Sequence, residues 1–491
     1  MDDKEPLTPG ESADYGATSG QPPPDPPSSP GAEDAIEAAP QEMELNEVYQ
    51  LIGFGPAQYI YYLTVALISY SEYAELTCLS VMTPLLRCEW NLTTNFEAAI
   101  TISVFGSYAL FALIFGKLSD QYGRKVVLQW STVCLLLAAV AAALAPNKWV
   151  FLFSRLVTGA TIGINLNCSL CYATEFAESK YRTVGVTVFI VSASAGFVIV
   201  NLFAYLVLEE IGWRWFIIII SLPAIPALAL IIALPESPRY HVVSGEQEEA
   251  LKTVTWFAKL AGKPLPADLT VKVYQDQERG SLKTLFSSEY KQTVLALSAV
   301  YFANIFVEFG LIIFLPLLFS SDVCSGSGGG VPEHTCKPLS KKDLWELTLA
   351  SAGGIFGCFL SLILATQIGR IAPVRVGSGV QTLFLTLLLF CISEGFTFYT
   401  AVIVKIVQAF INCLIWIVIP ESFPTIIRST ALGIVNGSGK VGGLIGTGMV
   451  YLLFYESFRY VVCLFILASV VGFVGSLFLH VETKDTELQD A

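Results

Sequence analysis

Apolar runs of about twenty residues, each cut off by a short polar turn, set the pattern of this 491-residue chain. A helix of that length crosses a hydrocarbon core of about 30 Å, so every run predicts a membrane span. Twelve are predicted, at 57–83, 98–118, 126–145, 149–172, 184–208, 213–234, 292–319, 344–366, 373–392, 397–419, 429–454 and 459–480. The densest turn is Gly116–Lys125, Gly-Lys-Leu-Ser-Asp-Gln-Tyr-Gly-Arg-Lys, between the second and third runs. Irregular polar backbone is costly inside a bilayer, which makes this stretch a surface hinge between two helices.

The runs fall into two groups of six about a polar stretch. The pattern therefore predicts an all-α membrane protein of twelve transmembrane helices. Its parts are a disordered acidic tail (1–56), a six-helix half (57–234), a linker (235–291), a second six-helix half (292–480) and a short tail (481–491). Inside the linker, Ser244 and Gln247 have capping-box spacing. Ala250, Val254, Phe257 and Ala261 then recur on one helical face until Gly262 and Pro264 stop it, which predicts an amphipathic helix on the membrane surface.

Composition sharpens this. The chain is 54% hydrophobic and only 14% charged, against about 25% charge in soluble domains. Its net charge of −13 is not spread evenly, because residues 1–47 hold twelve acids and one lysine. The membrane body is nearly neutral, and no basic patch for nucleic acid exists. The tail, with Gln-Pro-Pro-Pro-Asp-Pro-Pro-Ser-Ser-Pro at 21–30, cannot bury enough apolar surface to order itself. It is a candidate strip for trafficking adaptors, with Tyr49-Gln-Leu-Ile as a sorting-type match next to the membrane. No signal peptide is read, so the first span is expected to direct insertion. Basic residues gather on the N-terminal side, including Lys117, Arg124, Lys125, Lys180 and Arg182 in short loops. That side, with both termini, is expected to be cytoplasmic.

Chemistry of other kinds finds no support. Of the eleven cysteines only Cys168 and Cys171 have close spacing, inside an apolar run, none has Cys/His metal spacing, and Cys324 with Cys336, in one polar loop, is the candidate disulfide. His241, His334 and His480 all lie at boundaries or in loops. No metal, cofactor, phosphate-binding loop or catalytic constellation is expected, and the chain does not read as an enzyme.

The halves share a charge pattern. Gly123-Arg124 recurs as Gly369-Arg370, Glu175 as Glu421, Arg182 as Arg428 and Glu236 as Glu482, each 246 positions on. A constant offset across four loops points to a duplicated six-helix unit. Such charges can pair and unpair as two rigid halves rock; a fixed structural clamp would leave the same residues.

Within the spans, ionisable residues cost at least about 2.5–3.5 kcal/mol and are functional candidates. Six stand out: Glu72 and Glu75 in the first span, Arg155 in the fourth, Glu308 in the seventh, Lys405 in the tenth and Lys440 in the eleventh. Glu72 and Glu75, three apart, share a helical face. Either the two carboxylates share a site and one carries a proton, or one is permanently paired with Arg155. Tyr73, Asn304 and Trp416 are candidates for the wall of the same solute path.

Gly116–Lys125 resembles the signature after the second helix of the major facilitator superfamily. Pro235-Glu-Ser-Pro-Arg-Tyr240, Pro420-Glu-Ser-Phe-Pro-Thr-Ile-Ile-Arg428 and Val481-Glu-Thr-Lys484 resemble its motifs after helices six, ten and twelve. Cys88-Glu-Trp90, Gly212-Trp-Arg-Trp215, Glu278-Arg-Gly280 and Asp322-Val-Cys324 resemble the synaptic vesicle 2-related group, near the organic-ion transporters. The resemblance implies a major facilitator fold in which helices one, four, seven and ten line a central cavity. It implies that Asp120 faces the amino end of helix eleven and that Arg124 pairs with Glu175 or Glu178. The second hinge departs from the pattern, with Thr366-Gln367-Ile368 in place of an acidic stretch.

The function expected is secondary active transport of a small organic solute, anionic or zwitterionic given Lys440, with protons as a coupling partner. The expected location is a synaptic or secretory vesicle or the plasma membrane. The alternative is a non-transporting vesicle protein that uses the same fold as a receptor or regulator.

Overall fold

The computed structural model describes residues 41–176, 181–266, 269–272, 282–321 and 338–479. The first half contains β1 (Gln41–Met43), α1 (Leu45–Ile52), α2 (Pro56–Trp90), α3 (Thr94–Tyr122), α4 (Arg124–Ala143), α5 (Lys148–Glu175), α6 (Arg182–Ser221) and α7 (Ala224–Ala233). The linker follows with α8 (Pro238–Ser244), α9 (Gln247–Ala261), β2 (Leu269–Val271) and α10 (Leu282–Leu285). The second half is α11 (Lys291–Ser320), α12 (Lys341–Gln367), α13 (Ile371–Leu388), α14 (Glu394–Glu421), α15 (Thr425–Phe454) and α16 (Phe458–Leu477).

Nine described helices are long and apolar enough to cross a membrane, or ten if the bent pair α1–α2 counts as one span. One of the nine, Val184–Ala233, has 50 residues. Unbroken, it would run about 75 Å, more than twice the hydrocarbon thickness. Gly212, at φ 73° and ψ 163°, divides it into two spans. The 35-residue α2 and the 30-residue α15 are also long enough. Glu72 and Glu75 dilute the hydropathy of α2, and Lys440 with its neighbouring glycines dilutes that of α15. Six spans therefore lie on either side of the linker.

Helices within each half approach closely where a side chain is missing. A Cβ on Gly159 of α5 would lie 2.1 Å from the Val104 carbonyl oxygen of α3. One on Gly446 of α15 would lie 2.4 Å from the Phe306 carbonyl of α11. Small residues are what allow such packing in lipid, where hydrophobic burial gives little drive. The halves meet along two seams, α3 against α15 and α6 against α12.

Under the first half, on what is called here the linker side, sits a platform that the apolar pattern gave to the tail. Residues 41–43 pair in parallel with 269–271, and Val48, Tyr49 and Ile52 of α1 are buried. The Tyr49 hydroxyl donates to the Glu175 carbonyl (3.0 Å), and the Tyr61 ring stacks on Phe176 and Phe257 at 3.7 and 5.3 Å. This stretch orders because the linker supplies the surface that it lacks alone. In the linker, α9 buries Ala250, Val254 and Phe257 and ends at Gly262. Its N-cap is Glu246, while Ser244 closes the preceding helix instead of capping this one.

Candidate solute path and its flanking ion pairs

The six intramembrane charges form three couples, and only one is closed. Arg155 of α5 meets Glu75 of α2 at 2.9 Å, both side chains 1% exposed. The Ser221 hydroxyl donates to the other Glu75 oxygen at 2.5 Å. Glu75 is thus tied inside the first half, as the paired alternative expects.

Glu72 is also sealed from solvent, yet neither carboxylate oxygen has a hydrogen-bond partner. The cation it senses is Lys440, across the gap on α15. The Lys440 ammonium donates to the Asn167 side-chain oxygen at 3.1 Å and lies 5.4 Å from the centre of the Tyr108 ring. Asn436 donates to the same oxygen at 3.1 Å, and Asn167 donates to the Ala112 carbonyl at 3.0 Å. One amide of the first half is therefore held by two side chains of the second.

The third couple is Glu308 of α11 and Lys405 of α14, each the other's electrostatic partner. They share the wall of a cavity of about 20 Å³ with Phe197, Ser351, Cys358 and Asn412, room for about one water molecule. Asn412 donates to Glu308 at 3.1 Å, while the Lys405 ammonium lies 5.2 Å from the Phe197 ring centre. Tyr73 stands edge-on to that ring at 5.3 Å, and Trp416 edge-on to Tyr301 at 5.7 Å. Asn304 is buried with both amide atoms unpartnered.

On the linker side, Arg124 pairs with Glu175 at 3.1 Å and Arg370 with Glu421 at 2.7 Å. These ion pairs, 246 positions apart, each join neighbouring helices of one half and do not bridge the halves. Gly123 and Gly369 repeat too, at φ 94° and 105°. Glu236 accepts the backbone N–H of Lys125 at 2.9 Å and of Ser237 at 2.8 Å, against the amino end of α4. Burial pushes its carboxyl up, while those two donors pull it down. Arg428 turns back to the Phe423 carbonyl at 3.2 Å. Asp120 lies in the last turn of α3 and Arg182 opens α6; the placement of their side chains, of Glu178 and Glu482, and of Cys324 and Cys336, lies outside the described residues.

Gly123 carries a prediction. A Cβ there would sit 2.3 Å from a Glu236 oxygen, on a backbone with positive φ. Gly123→Ala is expected to cost about 1–3 kcal/mol, read as a lower thermal midpoint in detergent. Gly245, at φ 79° with nothing within 4 Å, is the control: Gly245→Ala isolates backbone strain and should cost less.

The family pattern described as Major Facilitator Superfamily matches residues 62–447. The chain belongs to that superfamily. The synaptic vesicle 2-related protein of Xenopus laevis is 30% identical over 457 residues, covering 91% of this chain and 82% of the relative. The Rattus norvegicus protein of the same name is 29% identical over 457 residues with the same coverage. Among solved structures, the xylose transporter XylE from E. coli, in a partially occluded inward-open conformation, matches with a TM-score of 0.67 at 16% identity. That alignment covers 88% of this chain and 99% of XylE, and at such identity it speaks for the fold alone.

Several residues of the candidate path have no signal in the sequence strong enough to find them. Asn167, Asn436 and Tyr108 are ordinary neutral residues in long spans, and only helix proximity selects them. Cys88, in the last turn of α2, and Cys391, just past the end of α13, each take part in a disulfide, although the spacing of the cysteines singles out neither.

Proposed function

We propose that this facilitator carries a small charged organic solute, anionic or zwitterionic, by alternating access, with a proton taken up at Glu72. The observation that carries this is the pair of open charge couples, Glu72 with Lys440 and Glu308 with Lys405. Each offers a cation and an acid that are buried but not fused into an ion pair. Charges buried in membrane spans are costly; a carboxylate on the solute would meet the lysines, and the ammonium of a zwitterion would meet the acids as well. An uncharged hexose would leave them unmet.

The polar contacts between halves on the side opposite the linker support a state closed there. Asn201 donates to the Ser351 hydroxyl at 2.9 Å, and the Tyr205 ring meets Trp345 at 5.5 Å. The distribution of basic residues supports a cytoplasmic linker side, and the synaptic vesicle 2-related relatives support a vesicle membrane.

Flux into liposomes holding the purified protein tests the reading. The probes are small carboxylates and amino acids first selected by thermal stabilisation. Saturable uptake of a stabilising compound, reduced at least about tenfold by Lys440→Gln, is the expected result. A compound that binds but never crosses would overturn it in favour of a receptor whose tail engages trafficking adaptors.

A further inference from the structure

The far side of the molecule carries a charge cluster that the solute path does not use. Arg87, in the last turn of α2, donates through Nε to Glu97 of α3 at 2.5 Å. One of its terminal nitrogens reaches the second carboxylate oxygen and also the hydroxyl of Tyr455, at the end of α15. The guanidinium carbon lies 4.6 Å from the centre of the Tyr455 ring. Glu97 is 1% exposed and Arg87 12%. One turn deeper in α15, Tyr451 is buried, with Thr83 of α2 and Thr101 of α3 as its polar neighbours. The end of α15 is thus inserted between two helices of the other half.

Where the charges sit decides how easily this contact opens. Separating the two members of a buried ion pair is strongly unfavourable, because a charge is left unpaired. Here both members belong to the first half and remain together when the halves part. To the hydrogen bonds and ring contact of this socket the second half contributes a neutral hydroxyl and a ring, while the neighbouring Cys88 is held separately in a disulfide. The other far-side seam follows the same rule: Asn201–Ser351 and Ser194–Cys358 are neutral contacts, at 2.9 and 3.5 Å. Its ion pair among the described residues, Lys341 with Glu209 at 3.6 Å, has both side chains 57% exposed, and pairs so placed contribute little.

We propose that Arg87 and Glu97 form a permanently assembled socket, and that Tyr455 is the plug whose withdrawal opens the far side. This rests on the alternating-access reading. Its test uses no solute, so a failed flux assay and a failed gate remain separable.

Tyr455→Phe keeps the ring and removes the hydroxyl that accepts from Arg87. A hydrogen bond to a charged group is worth enough to shift an opening equilibrium about tenfold. In the full-length protein in nanodiscs, amide exchange is expected to rise about tenfold on both faces of the seam, in 94–105 and in 446–454. It should stay unchanged in 56–66 and 166–176 on the linker side. Arg87→Lys keeps a cation for Glu97 but loses the forked geometry. It should give the same paired increase with little change in thermal midpoint, which guards against a Tyr455 variant that folds poorly. Faster exchange confined to 446–454 would mean local fraying of α15 and would overturn the gate. So would unchanged exchange in both variants.

Discussion

Replacing Arg155 with methionine is expected to destabilise the protein by about 3–5 kcal/mol, and Glu75→Leu by a similar amount. Each change leaves its partner as an uncompensated charge in a site that is 1% exposed. The double variant should recover most of that loss or exceed the wild type. The reason lies in how imperfect the native pair is. Two of the three Arg155 side-chain nitrogens have no hydrogen-bond partner, so the desolvation of the guanidinium is only partly offset. Methionine and leucine fill comparable volume without that cost. Ser221, which donates to Glu75, can still donate to the Ile217 carbonyl at 2.8 Å, so the double change strands no hydroxyl. Thermal midpoints of the four proteins in one detergent settle the matter as a double-mutant cycle. A double variant as unstable as either single would show that the cost lies in lost packing and not in the orphaned charge.

How these charges divide was half legible in the sequence. Their positions in apolar spans mark them as a set, and the constant 246-residue offset marks the halves. The choice of partner was hidden. Residues three apart lie about 60° apart around a helix, close enough to suggest that Glu72 and Glu75 share a site. The same angle turns Glu75 towards Arg155 and leaves Glu72 sensing Lys440. Only the packing of α2 between its neighbours decides this.

The platform shows the same limit. Glu42, Glu44 and Glu47 mark residues 41–52 as tail, and an eight-residue helix with four buried positions, Leu45, Val48, Tyr49 and Ile52, is too short to stand alone. Their partner, α9 with β2, lies about two hundred residues away. The far-side socket was missed for a third reason. Arg87 and Glu97 flank a surface turn, where charges are expected, and Tyr455 is distant in sequence.

Glu72→Gln is expected to uncouple the protein from the proton gradient. In the state described, the Glu72 carboxyl is fully sealed and without a hydrogen-bond donor. An uncompensated carboxylate there costs several kcal/mol, and a bound proton removes that cost. Parting of the halves carries Lys440 away from Glu72 and admits water, so the carboxylate is then hydrated and releases its proton. Low pH should therefore favour the sealed arrangement, and far-side amide protection in 94–105, taken relative to the intrinsic exchange rate at each pH, should rise as pH falls. With glutamine at 72 the sealed state needs no proton, and that protection should be high and flat with pH. In liposomes, accumulation driven by a pH gradient should fall at least about tenfold, while exchange of solute down its own gradient continues. Glu75, held by Arg155 and Ser221 throughout, does not take part in this step. Gradient-driven accumulation that survives in Glu72→Gln would remove the carboxyl from coupling and leave Glu72 as a binding group for the solute alone.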